Sequence, residues 1–207
     1  MSRRTSITLT LFAGALMLIG YSLPWLQGPG VSLSPNAYDL AEWSSLHPAA
    51  RAESPALLTA LLLRLPLACI ALMLSFSAPA DTRGRLICGL GALLLASALL
   101  PPLEFVRALD DLNYRQQFML AAVALIGSLI GLSGVLRRWS RVVAVLALVI
   151  GAAASAAGLA RGYALFTAIQ IEVTIGAGGV LLTLLFGLAA LVVMAAGHGQ
   201  QTRQPSA

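Results

Sequence analysis

Residues 173–196 read VTIGAGGVLLTLLFGLAALVVMAA, a run without a single charged side chain. Because an α-helix rises about 1.5 Å per residue, about 20 apolar residues cross a hydrocarbon core about 30 Å thick. Residues 141–160, RVVAVLALVIGAAASAAGLA, repeat this pattern after their first arginine. Both runs are continuously apolar rather than alternating, so they predict membrane-spanning helices and not the strands of a β-barrel.

The same criterion predicts six spans in a single membrane domain that covers residues 1–207. They lie at about residues 5–25, 56–76, 85–101, 117–136, 141–160 and 173–196. The composition agrees, because 58% of the residues are hydrophobic, only 10% are charged, and the mean hydropathy is +0.87. A soluble domain carries about 25% charged residues. The predicted fold class is therefore all-α, and a soluble globular, disordered or disulfide-scaffold protein is excluded.

The arginines predict the orientation of the chain. All 13 basic residues are arginine, and the net charge is +5. One side of the predicted spans holds eight of them: Arg3, Arg4, Arg83, Arg85, Arg137, Arg138, Arg141 and Arg203. The other side holds four: Arg51, Arg107, Arg115 and Arg161. Since arginine concentrates in cytoplasmic loops, both termini are expected in the cytoplasm. Arginine without lysine, with abundant alanine and leucine, is typical of a GC-rich bacterial genome, so the expected location is a bacterial cytoplasmic (inner) membrane.

The first outer loop, residues 26–55, contains a predicted amphipathic helix at about residues 35–46. Ser34 and Pro35 form a helix-start pattern, with serine as the N-cap and proline at the first helical position. Apolar residues then recur every three to four positions, at Leu33, Ala37, Leu40 and Trp43. This apolar face could lie in the headgroup region, pack on the bundle as a lid, or dock a partner through Leu40 and Trp43.

Arg64 is the one charged residue predicted inside a span. Counted from residue 56, it lies about 13 Å deep, where a charge costs at least about 2.5–3.5 kcal/mol. Such a side chain needs a partner, a cavity with water, or a ligand. Pro66 follows two residues later and removes a backbone hydrogen bond, so it can kink the helix.

The spans contain no central acid to pair with Arg64, so we expect it to reach outward to a span end. Glu104 and Glu172 are the candidates, and Glu172 is favoured because Gln170 and Thr174 flank it with polar groups. In a functional interpretation, Arg64, Glu172 and Gln170 bind an anionic ligand, a lipid headgroup or a quinone-like carbonyl. In a structural interpretation, Arg64 forms an ion pair or donates to a carbonyl freed by Pro66.

Small residues recur four apart in the last three spans, a spacing that lets helices approach closely. The predicted helix-packing residues are Gly127, Gly131, Gly134, Gly151, Ser155, Gly179, Thr183 and Gly187. The packing could serve the chain's own bundle or a neighbouring subunit. The glycine-rich run at 176–179 indicates either a loosened helix start, as in transporter ion sites, or close packing.

Several chemistries lack their residues in this sequence. His47 and His198 both lie outside the predicted spans, so haem or pigment ligated by a histidine within a span is not expected. Cys69 and Cys88 lie in apolar runs without a CxxC pattern, which argues against a metal site or a disulfide. No phosphate-binding loop is present, and basic residues do not alternate with aromatic ones. We therefore expect no cofactor, no metal and no nucleic-acid partner.

Three functions remain open. The favoured one is a non-catalytic accessory or structural subunit of a larger membrane complex, with the lipid bilayer and other membrane subunits as its partners. The alternative is a small transporter or permease component with its ligand site at Arg64. A lipid-acting enzyme is the third, and its only candidate polar set is Glu104, Arg107, Asp110, Asp111, Asn113 and Arg115. We expect that the protein is not an enzyme.

Overall fold

The structure is a computed structural model that describes residues 3–29, 33–79 and 81–201, with side chains from residue 7 to residue 195 of these ranges. Arg203 lies outside the described residues, and the side chains of Arg3 and Arg4 lie outside the described side chains. The structure therefore does not test the orientation prediction at these three arginines.

The described chain consists mainly of helices joined by short connections, with one short pair of strands. The helices are α1 (Arg3–Ser22), α2 (Ala37–Leu46), α3 (Pro48–Arg51), α4 (Leu58–Phe76), α5 (Thr82–Ala98), α6 (Leu112–Ser133), α7 (Ser140–Ala168) and α8 (Ala177–Gln201), with a 3-10 helix at Leu103–Arg107. Strands β1 (Leu26–Gln27) and β2 (Thr174–Ile175) pair antiparallel, with Leu26 opposite Ile175. The predominance of helix confirms an all-α class, and β2 replaces the start of the predicted span 173–196 with a strand.

Four helices are long and apolar enough to cross a membrane. They are Leu58–Phe76, Leu112–Ser133, Ser140–Ala168 and Ala177–Ala195. The apolar part of α1, Ile7–Ser22, is shorter, and α5 has 17 residues. The structure is thus that of a protein with several apolar helices compatible with a membrane.

Helix α4 is the centre of the bundle. It packs against α1, α5, α6 and α7. Helix α8 packs against both α7 and α1. Helix α2 lies over one end of α4 and also touches α1 and α7. We call α2 and α3, residues 37–51, the cap, and the end of the bundle beneath it the cap end. Because α4 has neighbours on several sides, most of its side chains are buried, including Arg64.

Helix α2 begins two residues later than the sequence pattern predicts. Asn36, not Ser34, is its N-cap, and the Asn36 Oδ1 atom accepts from the backbone N–H groups of Tyr38 and Asp39. The carbonyl of Pro35 instead accepts from the N–H of Trp25, which holds Pro35 outside the helix. The amphipathic helix itself is present, as predicted.

Helices α6 and α7 extend further toward the cap end than their predicted spans. Helix α6 starts at Leu112 rather than near 117, because Asp111 caps it and accepts from the N–H groups of Asn113 and Tyr114. Helix α7 continues to Ala168 rather than ending near 160. In these extra turns, Asn113 accepts from Arg64 and Arg161 pairs with Glu53.

Four of the eight predicted small residues, Gly127, Gly131, Gly151 and Gly179, lie against other elements of this chain. A Cβ atom added at Gly127 would lie 2.5 Å from Leu72, and one at Gly151 would lie 2.5 Å from Phe186. Gly131 similarly faces Phe76, and Gly179 faces Trp25 and Leu159. Ser155 and Thr183 donate to the carbonyls of Gly151 and Gly179, each four residues earlier. The close approach therefore serves the chain's own bundle.

Two of the predicted packing glycines, Gly134 and Gly187, do not pack against another helix of the described chain. Gly134 ends α6 with a φ of +76°, a left-handed conformation that glycine adopts without strain, and a Cβ there would touch nothing. Gly187 lies within α8, where an added Cβ would also meet open space. For Gly134 the prediction of a helix–helix contact is wrong, because the residue is a helix terminator.

The glycine-rich run at 176–179 is a close-packing device. The N–H groups of Gly176 and Gly178 donate to the carbonyls of Trp25 and Pro24, at 2.8 and 2.9 Å. A Cβ at Gly178 would lie 2.5 Å from the carbonyl oxygen of Leu23. The start of α8 is thereby fixed against the end of α1, and its helix begins regularly at Ala177.

Candidate functional site

Arg64 lies at the centre of a polar cluster beneath the cap. Its side chain is 1% exposed. The Nη1 atom donates to Oδ1 of Asn113 at 2.7 Å, and the Nη2 atom donates to Oε1 of Glu42 at 2.7 Å. Gln117 donates to the same Glu42 oxygen at 3.1 Å. The cluster thus joins three helices, because Arg64 belongs to α4, Glu42 to α2, and Asn113 and Gln117 to α6.

Arg64 lies closer to the start of its helix than the predicted span implies. Helix α4 begins at Leu58, so Arg64 is six residues, or about 9 Å, from its start. Asn113, its partner, is the second residue of α6. The guanidinium group is therefore level with the first turn of α6, near the cap end, where a buried charge can reach an acid outside the apolar core.

The predicted ion-pair partner is wrong. Arg64 pairs with Glu42, whereas Gln170, Glu172 and Glu104 are all exposed, so the structure does not gather Arg64, Glu172 and Gln170 into one site. The reason is the position of α2, which lies over the end of α4 and places its acidic edge against Arg64. Neither guanidinium hydrogen bond goes to a carbonyl freed by Pro66.

The two partners of this ion pair differ in their access to solvent. The Glu42 side chain is 37% exposed, against 1% for Arg64. Two further polar atoms of the described residues, Nε of Arg64 and the hydroxyl of Tyr21, are buried without a hydrogen-bond partner. Tyr21 is also within electrostatic range of Arg64 and Glu42. The positive charge therefore depends on Glu42 for its neutralisation.

Leu40 and Trp43, the predicted docking residues, face the bundle instead of a partner. Leu40 is fully buried, and a Cβ at Gly162 of α7 would lie 2.9 Å from it. The Trp43 ring stacks on Phe166 of α7 with centroids 4.2 Å apart. The cap is thus a lid packed on the last two turns of α7, which explains why that helix continues past residue 160.

A second ion pair ties the chain that follows the cap to α7. The Nη2 atom of Arg161 donates to Oε1 of Glu53 at 2.8 Å, and the Thr59 hydroxyl donates to the same oxygen at 2.6 Å. The Thr59 N–H donates to Oε2 of Glu53 at 3.0 Å. Burial alone would raise the pKa of Glu53, but the hydrogen bonds from Thr59 and Arg161 outweigh it, so the pKa is lowered.

This carboxylate predicts a loss of stability in acid. A carboxylate with a lowered folded-state pKa contributes stability above its ordinary value of 4.5, and the contribution disappears as the pH falls through the folded-state value. We expect the thermal midpoint of the wild type to fall more steeply between about pH 5 and pH 3 than that of Glu53→Gln. Asp110→Asn, which changes an exposed carboxylate, should keep the wild-type slope; parallel curves for wild type and Glu53→Gln would refute the role assigned to Glu53.

The structure disperses the polar set of the predicted lipid-acting site. Asn113 binds Arg64, and Asp111 caps α6 and lies 3.6 Å from Arg51. The remaining members, Glu104, Arg107, Asp110 and Arg115, are exposed. Among the residues the structure describes, no group of three or more His, Cys, Asp and Glu side chains could hold a metal ion.

Comparison with known proteins adds no relative. No protein-family model matches the chain, and neither the curated proteins nor the solved structures give a match. The function must therefore be argued from the site and the surface of this chain alone.

Proposed function

We propose that this chain is a non-catalytic, multi-pass protein of a bacterial cytoplasmic membrane that serves as an accessory or structural subunit of a larger membrane complex. The observation that carries this proposal is the pairing of Arg64 with Glu42 and Asn113 within the chain. A side chain whose charge is already neutralised by a neighbouring helix is poorly suited to bind an anionic substrate. This pairing favours the subunit over the transporter with its site at Arg64.

We further propose six membrane spans with both termini in the cytoplasm. Helices α1 and α5, though shorter than the other four, pack alongside them: α1 against α8 and α4, and α5 against α4 and α6. At 1.5 Å per residue, the 17 residues of α5 extend about 26 Å, close to the thickness of a hydrocarbon core. Six crossings also fit the unequal distribution of arginines between the two ends.

The connection between α5 and α6 offers a surface for a partner subunit. Leu103 and Val106, on its 3-10 helix, are 90% and 73% exposed. A spacing of three residues places them on the same side of a 3-10 helix. The exposed residues Glu104, Arg107 and Asp110 flank them, so the border carries charges of both signs, whereas surfaces that bind anionic lipid are predominantly basic. An apolar face with this mixed border suits a protein partner better than the membrane surface.

Co-purification tests this proposal. A tagged chain is extracted from its host in mild detergent and analysed by native gels and mass spectrometry. We expect other membrane proteins to migrate with it in fixed ratio, and Leu103→Asp to weaken their association at least about tenfold, because a charge would enter the apolar contact. Leu103 is 90% exposed, so the variant should fold.

Val135→Asp is the matched control. Val135 is 82% exposed and lies in the connection between α6 and α7, at the end of the bundle opposite the cap. It carries the same change of chemistry and should retain the partners. Migration of the wild type alone, as a monomer or a small homo-oligomer, would overturn the subunit proposal.

A further inference from the structure

An open groove runs between α4 and α6 from the cap end. Its volume is about 450 Å³, which is within the range of about 300–1,000 Å³ that is usual for ligand sites. The lining is almost entirely apolar: Ala56, Leu57, Leu61, Leu112, Met119, Leu120 and Val123 line it together with Arg115 and Gln116. From Arg115 to Val123 the groove follows α6 over about 12 Å.

The polar residues of the groove lie together in the first turns of α6. Arg115 is exposed and, like Arg107, forms no ion pair with any described residue, whereas Arg51, Arg64 and Arg161, at the same end, each pair with an acid. The Nε2 atom of Gln116 donates to the carbonyl of Leu57 at 3.3 Å. Its Oε1 atom is buried and accepts no hydrogen bond. This mouth therefore offers a free cation beside an apolar channel.

We propose that the groove binds one phospholipid, with an acyl chain along α6 and the phosphate on Arg115. Arginine binds phosphate through several N–H donors at once. The apolar lining matches an acyl chain, and α4 and α6 are both candidate spans, so the groove opens where lipid is available. The ligand class is thus a glycerophospholipid.

The proposal is independent of the subunit function. It uses neither Arg64 nor the surface at Leu103, and Arg64 does not line the groove. A chain that migrates without protein partners could still bind the lipid, and a chain that loses the lipid could still join a complex. The two proposals can therefore fail separately.

Lipid titration with native mass spectrometry tests the site. The purified full chain is stripped of lipid in detergent and titrated with a phosphatidylglycerol of defined acyl chains. We expect one tightly bound lipid on the wild type and an affinity about tenfold lower for Arg115→Gln, since one charged contact is lost. Met119→Trp, which fills the groove from an exposed position, should abolish this binding.

Arg107→Gln is the matched control, because Arg107 is an exposed arginine of the same end that does not line the groove. It should bind the lipid as the wild type does. Equal binding by the wild type, Arg115→Gln and Met119→Trp would overturn the site. Binding of free oleate as tightly as of the phospholipid would overturn the contact of the headgroup with Arg115. Circular dichroism of each variant confirms that a loss of lipid is not a loss of fold.

Discussion

Replacing Glu42 by alanine is expected to lower the free energy of unfolding by about 3 kcal/mol, because it leaves the buried guanidinium of Arg64 without its counter-charge. Breaking a buried ion pair from one side is far more costly than removing both charges. The hydrogen bond from Arg64 to Asn113 remains, but an amide oxygen does not neutralise the charge. Thermal or denaturant unfolding of the purified protein in a mild detergent measures the change.

The reverse substitution should be less damaging. Arg64→Met removes the buried charge, while the Glu42 carboxylate that it leaves behind is 37% exposed and can turn to water. We therefore expect Arg64→Met to destabilise the protein by about half as much as Glu42→Ala or less. If Arg64 were instead the more costly residue to lose, or if neither variant changed stability, the cluster would not be holding the cap in place.

The second large effect is expected at Gly178. Gly178→Ala should lower the free energy of unfolding by about 2–3 kcal/mol, since the new Cβ would lie 2.5 Å from the carbonyl oxygen of Leu23. That atom belongs to the backbone, which is fixed by the hydrogen bond from the Gly178 N–H to the Pro24 carbonyl, so the clash cannot be relieved by a change of rotamer.

Gly187→Ala, in the same helix, should change the free energy of unfolding in the opposite direction. A Cβ at Gly187 would meet nothing within 4 Å, so alanine should raise stability by up to about 0.5–1 kcal/mol through its greater helix propensity. The same unfolding measurement compares the two variants. A loss of stability in both, or in neither, would contradict the close packing of the start of α8 against the end of α1.

The helical class could be predicted because it follows from continuous apolar runs. Helices such as α4 and α8 contain few polar side chains. Because the backbone of a membrane span must form its own hydrogen bonds, few alternatives to a helix remain. The ends of the helices were less predictable. Arg161 suggested that α7 ends near residue 160, yet the helix continues, because Arg161 pairs with Glu53 and Phe166 supports Trp43.

The partner of Arg64 depended on tertiary structure. Glu42 lies 22 residues earlier on a separate helix, so its contact with Arg64 depends on how α2 packs over α4. One signal was available in the sequence: Asp111 has an N-cap pattern, and Asn113 and Gln117 follow it four residues apart, on one face of a helix. That pattern predicts that α6 begins near Asp111, toward the cap end. The side-chain amides of Asn113 and Gln117 then lie in the same cluster as Arg64.

The coupling free energy between Glu42 and Arg64 tests most directly whether this arginine is a structural link between the cap and the bundle. It is obtained from the unfolding free energies of the wild type, Glu42→Ala, Arg64→Met and the double variant. We predict a coupling of at least about 1.5 kcal/mol, with the double variant more stable than Glu42→Ala alone. Effects that add to within about 0.5 kcal/mol would show two independent residues and would return Arg64 to the position of a candidate ligand site.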